Sequence, residues 1–241
     1  MENFRELLKE EVKKYNKIDL TDKMLERFEI YKNLLLEWNE KINLTAITGE
    51  HDIILKHFVD SLEIVKYIKE GQNIIDVGTG GGFPGIVIAI YFNGNLDITL
   101  LDALDKRIKF LNEVIKILEL KNVKTVHGRA EELSNDQIYR EKFDISTARA
   151  VSSLNTLLEF NSPFVKVEGK CLLLKGEKIK DEILISKKAL EILKCNIVDR
   201  YEYSYIVNNE EYKRYIIDIE KIGKTPNKYP RNFGKIKKNP L

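Results

Sequence analysis

A glycine-rich segment near the middle of the chain is the feature that most restricts how it can fold. The ten residues from Asp76 to Gly85 contain five glycines. They follow a short β-rich run at 73–77 and precede an apolar helical run, with Pro84 suited to the first helical turn. Glycine allows a tight turn and close approach of the backbone to a ligand. In an open parallel sheet this turn lies at the carboxyl ends of the strands, where ligands bind. The segment therefore predicts a binding turn of an α/β fold.

The hydrophobic pattern after residue 70 alternates between strand and helix character. Helical runs at 84–92, 106–120, 153–166 and 178–194 separate strand-like runs at 73–77, 96–101, 123–127, 143–147 and around 171–174. Strands that alternate with helices of this length form βαβ units and a parallel sheet. Right-handed crossovers place the helices on both faces of that sheet.

The pattern changes at the end of this region. Two strand-like runs, 197–207 and 212–219, follow each other with Asn208 and Asn209 between them and no helical run. Strands joined by so short a turn are antiparallel. A parallel sheet closed by an antiparallel hairpin is typical of class I methyltransferases, whose Rossmann-like fold binds S-adenosylmethionine. A plain dinucleotide-binding fold would add another crossover helix instead.

The region before residue 70 shows helix periodicity and no strand signal. Thr21 is a suitable N-cap residue for the first of two amphipathic stretches. That stretch carries apolar side chains at spacings of three and four, namely Leu25, Phe28, Tyr31, Leu35 and Trp38. A polar loop at 43–49 and a second stretch at 53–65 follow. We predict a helical N-terminal extension at 1–70, a class I methyltransferase domain at 71–220 and a basic C-terminal tail at 221–241.

Composition and charge narrow the class of protein. Hydrophobic residues make up 43% and charged residues 32% of the chain, an ordinary balance for a globular protein. The apolar run at 86–92 is too short to span a bilayer, and the charged N-terminus resembles no signal peptide. We expect a cytoplasmic monomer with no membrane partner. The two cysteines and three histidines show no metal-ligand spacing, so we expect no metal and two reduced core thiols.

The net charge is only +2, but the distribution of charge is uneven. No acidic residue follows Glu220, whereas seven lysines and arginines do. Such a tail is either solvated surface or a site of phosphate contact, because clustered cations release counterions from nucleic acid.

The glycines by themselves allow two ligands. Gly80, Gly82 and Gly85 satisfy G-x-G-x-x-G, the dinucleotide pattern, and Gly78, Gly80 and Gly82 satisfy G-x-G-x-G, the adenosylmethionine pattern. Adenosylmethionine carries cationic groups and no phosphate, so an acid near the loop, such as Asp76, favours it. The terminal hairpin favours it as well.

Two further acids follow predicted strands. Asp102 ends the second strand, where a carboxylate can accept hydrogen bonds from the ribose hydroxyls of either ligand. It could also be a helix N-cap. Glu131 follows the third strand, where it could approach an adenine or be an exposed residue of a first helical turn.

Ordered motifs along nearly the whole chain resemble the RsmG (GidB) family of bacterial methyltransferases. They are Trp38-Asn39, Asn43-Leu44-Thr45, His57, Asp60-Ser61-Leu62, Asp76-Val77-Gly78, Gly82-Phe83-Pro84-Gly85, Leu101-Asp102, Lys106-Arg107, Arg129-Ala130-Glu131-Glu132-Leu133, Arg149-Ala150, Lys175-Gly176, Tyr229-Pro230-Arg231 and Pro240-Leu241. The resemblance implies formation of 7-methylguanosine at the guanine in position 527 of the 530 loop of 16S rRNA, in the small ribosomal subunit. Thr79-Gly80-Gly81 and Asp102-Ala103 depart from the usual pattern, and the second departure removes a serine hydroxyl.

The resemblance also implies which residues bind S-adenosylmethionine: Gly78, Phe83, Asp102, Ala130, Glu131 and Arg149, with Gly80 assigned to the same loop. Guanine N7 has an in-plane lone pair and no proton, so we expect no obligatory catalytic base, and Arg149 is the candidate positioning residue. The candidates for RNA contact are Lys106, Arg107, Lys228, Arg231, Lys235 and Lys237. His57 and Asp60 share a helix face, where packing is the simpler role for the imidazole.

Three alternatives remain open at this point. An NAD-dependent oxidoreductase would use the overlapping dinucleotide pattern. A non-catalytic RNA-binding or assembly module would keep the fold without methyl transfer. A small-molecule methyltransferase is disfavoured by the basic tail.

Overall fold

The computed structural model describes residues 3–149 and 152–241, so Ala150 lies outside the described residues. The helices are α1 (Phe4–Asn16), α2 (Asp22–Ile42), α3 (Glu50–Ile53), α4 (Asp60–Leu62), α5 (Gly85–Phe92), α6 (Asp105–Ile117), α7 (Ala130–Leu133), α8 (Leu154–Asn161), α9 (Ile179–Ile185), α10 (Lys187–Leu193) and α11 (Phe233–Lys238). A π-helical stretch, Ile54–Val59, joins α3 to α4, and a 3-10 helix, Glu63–Tyr67, follows α4. The strands are β1 (Asn73–Val77), β2 (Asp97–Asp102), β3 (Val123–His127), β4 (Phe143–Arg149), β5 (Val165–Lys175), β6 (Cys195–Val207) and β7 (Glu210–Lys221).

The strands form one sheet in the order β3-β2-β1-β4-β5-β7-β6. The first five strands run parallel to one another, and β7 runs antiparallel to both β5 and β6. Asn208 and Asn209 have φ values of 50° and 64°, the left-handed conformation that a two-residue hairpin turn of this kind requires. The predicted fold class, a parallel sheet closed by an antiparallel hairpin, is confirmed.

Two predicted helices differ from the structure. The apolar pattern predicts one helix at 153–166, but α8 stops at Asn161 and β5 begins at Val165, which pairs with Phe143 of β4. The run at 178–194 is two helices that meet at Ser186, whose buried hydroxyl donates to the Glu182 carbonyl at 2.6 Å. In both cases sheet pairing or a local hydrogen bond overrides the apolar periodicity.

The helices before residue 70 pack onto the sheet domain. Thr21 caps α2 as predicted, and its hydroxyl accepts from the Met24 amide at 3.3 Å. Apolar side chains of α1 and α2 belong to the same hydrophobic cluster as those of α5 and α6. Within it the rings of Phe28 and Phe58 lie 4.9 Å apart. The hydrophobic core is continuous across residue 70. The division into three segments stays a prediction.

The C-terminal segment, residues 221–241, is tied to the sheet domain by specific contacts. The Arg140 guanidinium donates to the carbonyls of Tyr229 and Thr225 at 3.1 and 2.9 Å. Ile236 of α11 is fully buried, and the Asn155 amide donates to the Leu241 carbonyl at 3.0 Å. The segment thus packs beside α8 at the carboxyl edge of the sheet.

Both cysteines are buried free thiols, as expected, and burial raises the pKa of Cys171 to about 11 and that of Cys195 to about 12. The helices within residues 3–149 and 152–241 lack the combination of length and apolar character that crossing a membrane requires.

Candidate functional site

Asp76 holds the glycine-rich turn from beneath. Its Oδ2 accepts from the Thr79 hydroxyl at 2.7 Å and from the Gly85 amide at 2.8 Å. The side chain is fully buried, and burial raises the pKa of its carboxyl to about 6. The sequence pattern predicts that this acid lies near the cationic groups of a ligand. The structure places it under the loop, and it is not among the residues that line the cleft above.

For two glycines in the turn, the structure shows why glycine is favoured. Gly80 has a φ of +61°, and its amide donates to Oδ2 of Asp102 at 2.9 Å, which joins the loop to the end of β2. A Cβ at Gly85 would collide with the Leu100 side chain and lie 2.8 Å from Asp76 Oδ2. Gly80 therefore permits the turn, and Gly85 permits close packing of α5 on the sheet.

Asp102 is engaged from several sides at the carboxyl end of β2. It is only 3% exposed. Oδ1 accepts from the Leu104 amide at 2.9 Å, and Oδ2 also accepts from Arg107 at 3.1 Å. The carboxylate is thus fixed in place beside the glycine loop, with a half-buried cation paired to it.

A cleft of about 480 Å³ lies over this loop. The structure brings five of the predicted site residues together in its wall: Gly78, Gly80, Phe83, Asp102 and Arg149. Several further residues of the same wall have no role predicted from the sequence, namely Leu44, Thr45, Ala103 and Leu104. The first two come from the loop between α2 and α3, so the N-terminal extension contributes to the site. Within the described part of the chain, no His, Cys, Asp or Glu side chains cluster as metal ligands would.

A second cavity of about 130 Å³, here called the apolar pocket, continues from this cleft. The two share Gly78, Asp102 and Ala103. Ala130 and Glu131, the other two predicted site residues, line the apolar pocket, and Glu131 is 7% exposed. Its remaining walls are largely apolar side chains, among them Val77, Leu101, Phe160 and Phe233. No sequence signal marked the last two, because they come from distant parts of the chain.

Phe83 contacts both a ring and a cation in the cleft wall. The His57 imidazole stacks on it with a centroid distance of 4.2 Å and an interplanar angle of 18°. The Arg149 guanidinium lies over the same ring at 4.8 Å, a cation–π contact. The aromatic ring of the Gly-Phe-Pro-Gly motif thus shapes the cleft wall beside Arg149.

The Arg149 guanidinium is held by the N-terminal extension. Nη1 donates to the Lys56 carbonyl at 2.8 Å and to Asp60 at 3.1 Å, and Nη2 contacts Nδ1 of His57 at 2.9 Å. Burial lowers the pKa of His57 to about 3, with the Arg149 charge as the second cause. His57 is therefore neutral near pH 7. Its ring packs on Phe83 and forms part of the cleft wall.

Asp60 is the counter-ion of this region. It is 1% exposed and accepts from Arg149, from Nε of Arg214 at 3.0 Å and from the Tyr203 hydroxyl at 2.9 Å. Burial by itself would raise the pKa of Asp60, but the charges of Arg214 and Arg149 outweigh it and hold that pKa below its ordinary value. The network connects α4 to β4, β6 and β7. No sequence motif marked Arg214 or Tyr203 as part of it.

The predicted RNA-contact residues fall into two groups. Four side chains are exposed, namely Lys106, Lys228, Lys235 and Lys237. The two arginines are paired instead: Arg107 with Asp102, and Arg231 with the fully buried Glu159, whose Oε2 lies 2.6 Å from Nη2. The pair between Arg231 and Glu159 fastens the C-terminal segment to α8.

Solved structures share this architecture. A SAM-dependent methyltransferase from Aquifex aeolicus superposes with a TM-score of 0.52 at 17% identity, covering 70% of this chain and 93% of the other. A SAM-dependent methyltransferase from Methanosarcina mazei does so with a TM-score of 0.52 at 12% identity, covering 66% and 96%. At these identities the likeness concerns the fold alone.

Sequence relatives are much closer. The protein named ribosomal RNA small subunit methyltransferase G of Acetivibrio thermocellus is 52% identical over 225 residues, which cover 93% of this chain and 91% of that protein. The protein of the same name from Alkaliphilus oremlandii is 44% identical over 98% of both chains. The GidB family, described as rRNA small subunit methyltransferase G, matches residues 24–204. This chain, with its glycine loop, Asp102 and Arg149 meeting in one cleft, belongs to the GidB family of small-subunit rRNA methyltransferases.

Proposed function

We propose that this protein transfers a methyl group from S-adenosylmethionine to N7 of a guanine in the 530 loop of 16S rRNA, at position 527. Family membership supports methylation of small-subunit rRNA, and the resemblance stated above supplies the base and the atom. One observation carries the cofactor assignment. An apolar pocket, a fixed carboxylate and a fixed guanidinium follow one another along the carboxyl edge of the sheet.

The chemistry of these groups fits the parts of S-adenosylmethionine in order. The apolar pocket with Ala130 and Glu131 suits a flat adenine that carries an amino group. Asp102 can accept from ribose hydroxyls, and Arg149 can pair with the carboxylate of the methionine part. Between these groups Gly78 and Gly80 have no side chains, so the ligand can approach the backbone closely. Asp76 contributes from below by holding the turn.

The chemistry at the guanine requires no proton transfer before attack. Bound S-adenosylmethionine supplies an electrophilic methyl group on a sulfonium. The N7 lone pair is free at neutral pH, so the protein's part is to hold the two reactants in line and to exclude water. Of the side chains lining the cleft, His57 and Asp102 could in principle act as bases, and both are already hydrogen-bonded. The neutral, buried His57 acts instead as a fixed support for Phe83 and Arg149.

Arg149 is the positioning residue of this scheme. Three protein groups fix its guanidinium, so its orientation is set before any ligand arrives. Preorganised charge of this kind costs no reorganisation when the ligand binds. Its position beside Phe83 at the end of β4 suits contact with the methionine part or with the guanine.

The RNA would approach over the exposed lysines of the C-terminal segment and the start of α6. Lys228, Lys235 and Lys237 lie on a segment that also contributes Phe233 to the apolar pocket. Phosphate contacts from such side chains add affinity without base specificity. The substrate is rRNA or the assembled small subunit.

Cofactor binding is tested by calorimetry with S-adenosylmethionine and with NAD. We expect a complex with the former only, and at least about tenfold weaker binding in Asp102→Ala. Asp105→Ala, which removes an exposed acid three residues away, should bind like the native protein. Thermal unfolding of each variant shows whether the fold is intact. Binding of NAD in place of S-adenosylmethionine would restore the oxidoreductase alternative.

The reaction is tested with small subunits from cells that lack the modification. Incubation with labelled donor should place one label on the 530 loop, at N7 of a guanine. RNA binding without label transfer would favour the non-catalytic module. Labelling of a small molecule in place of rRNA would favour the third alternative. The comparisons give these alternatives no support.

A further inference from the structure

The apolar pocket has a neighbour from which it is separated by three side chains. A larger cavity of about 460 Å³, here called the outer cavity, lies beside it. Arg129, Glu131 and Phe233 line both cavities and so form the partition between them. Phe233 is the aromatic member of this partition, and it comes from the C-terminal segment.

The position of Phe233 is fixed by contacts that do not depend on its own ring. The ion pair between Arg231 and Glu159 holds the preceding backbone, and Ile236 anchors α11 in the core. Asn232 caps the helix by accepting from the Lys235 amide at 3.0 Å. The Phe233 ring itself is 43% exposed, so its truncation removes little buried surface.

The ring has defined neighbours on its sides. It lies nearly parallel to Phe160, with centroids 6.4 Å apart and an interplanar angle of 21°. The Arg129 guanidinium lies 5.3 Å from its centroid. These contacts hold the ring where it lines both cavities.

The orientation of an adenine in the apolar pocket follows from the two ends of that pocket. Asp102 lies where the pocket meets the cleft, which is where the ribose would be held. The exocyclic amino group lies on the opposite side of the purine from the ribose. It would therefore face the partition, where the Glu131 carboxylate can accept from it.

We propose that Phe233 sets the size limit for substituents on the adenine amino group, and that its removal joins the apolar pocket to the outer cavity. This inference rests on the proposed function, since it needs S-adenosylmethionine or its product in the cleft. The native protein then accepts an unsubstituted adenine and rejects a bulky N6 substituent. Phe233→Ala accepts both, because the substituent extends into the outer cavity.

The test is calorimetry with S-adenosylhomocysteine and with its N6-benzyl derivative. We expect the native protein to bind the benzyl compound at least about a hundredfold more weakly than the parent. In Phe233→Ala this ratio should fall by about tenfold or more, with the parent compound weakened by less than about tenfold. Ile222→Ala, a truncation of an exposed residue in the same segment, should discriminate like the native protein.

Several outcomes would overturn the proposal. Equal discrimination in Phe233→Ala and the native protein means that the ring is not the limit. Loss of parent binding in Phe233→Ala, with folding intact, means that the ring supplies affinity and not selectivity. Failure of the native protein to bind S-adenosylhomocysteine at all would count against the proposed function itself.

A second variant tests the position of the ring without depending on selectivity. The chain has a single tryptophan, Trp38, so Phe233→Trp adds one emitter whose signal is obtained by difference. Its emission should change when S-adenosylhomocysteine binds, whereas that of Ile222→Trp should not. Unchanged emission of Phe233→Trp at ligand saturation, confirmed by calorimetry, would contradict the proposed partition.

Discussion

Nδ1 of His57 accepts a hydrogen bond from Nη2 of Arg149 at 2.9 Å. A guanidinium has only donors, so Nδ1 must be unprotonated and the neutral imidazole must carry its hydrogen on Nε2. Nε2 lies 3.0 Å from the Thr45 hydroxyl, to which it therefore donates. The network assigns the tautomer, and protonation of His57 would break the contact with Arg149.

The first prediction concerns stability against pH. The pKa of His57 is lowered to about 3 in the folded protein, so the unfolded state binds the extra proton below pH 6.5. The neutral His57 imidazole contributes to the free energy of unfolding above pH 6.5, and this contribution is lost as the pH falls toward 3. We expect His57 to account for a loss of about 1.4 kcal/mol in the free energy of unfolding between pH 7.5 and 5.5.

Urea unfolding of the native protein and of His57→Asn at the two pH values measures this loss. Asparagine keeps an acceptor for Arg149 but does not titrate, so the variant should lack the loss. His51→Asn, at an exposed histidine, should keep it. An equal loss in His57→Asn and the native protein would show that another group titrates.

The second prediction has the opposite sign. Burial raises the pKa of Asp76 to about 6, so the folded state holds its proton more tightly than the unfolded state does. The stabilising contribution is complete below pH 3.8 and is lost as the pH rises through 6. Relative to Asp76→Asn, the native protein should lose about 2 kcal/mol between pH 4.5 and 7. Denaturant unfolding of both proteins measures this gap, and a gap that stays constant would disprove the assignment.

The third prediction concerns the buried counter-ion. Asp60→Asn leaves the guanidinium groups of Arg149 and Arg214 without a charged partner inside the protein. We expect a loss of about 3 kcal/mol or more in the free energy of unfolding. Asp52→Asn, which removes the partner of Lys56 in a partly exposed i,i+4 pair, should cost less than about 1 kcal/mol. Comparable losses in the two variants would mean that Asp60 does not stabilise the network.

The fourth prediction concerns RNA. Replacing Lys228, Lys235 and Lys237 by glutamine should lower the slope of log affinity against log salt by about 2 to 3, because each phosphate contact releases counterions. Arg231 is left unchanged, since its pair with Glu159 holds the segment in place. A control variant loses the same charge at exposed lysines of α9 and α10, namely Lys180, Lys187 and Lys188. If both variants keep the native slope, the C-terminal lysines are ordinary solvated surface.

Local sequence determined the elements whose signals lie within a few residues. The predicted bounds of β1 and β3 match the structure, Thr21 caps α2, and Asn208 and Asn209 make the hairpin turn. Each of these depends on side-chain alternation, a single capping hydroxyl or a backbone conformation, which neighbouring residues decide. The order of alternating strands and helices then restricted the topology to one kind of sheet.

The tertiary structure alone decided how the site is supported. Asp60 pairs with Arg149 and Arg214, which are 89 and 154 residues away in the sequence. Arg231 pairs with Glu159, which is 72 residues away. No local pattern marks such pairs, because crossover connections and helix packing determine which side chains share a buried volume. The same reason explains why Asp76 lies beneath the loop and why Phe233 meets Phe160. The sequence determined the cleft and its glycines, and packing of distant segments decided which charges and rings surround it.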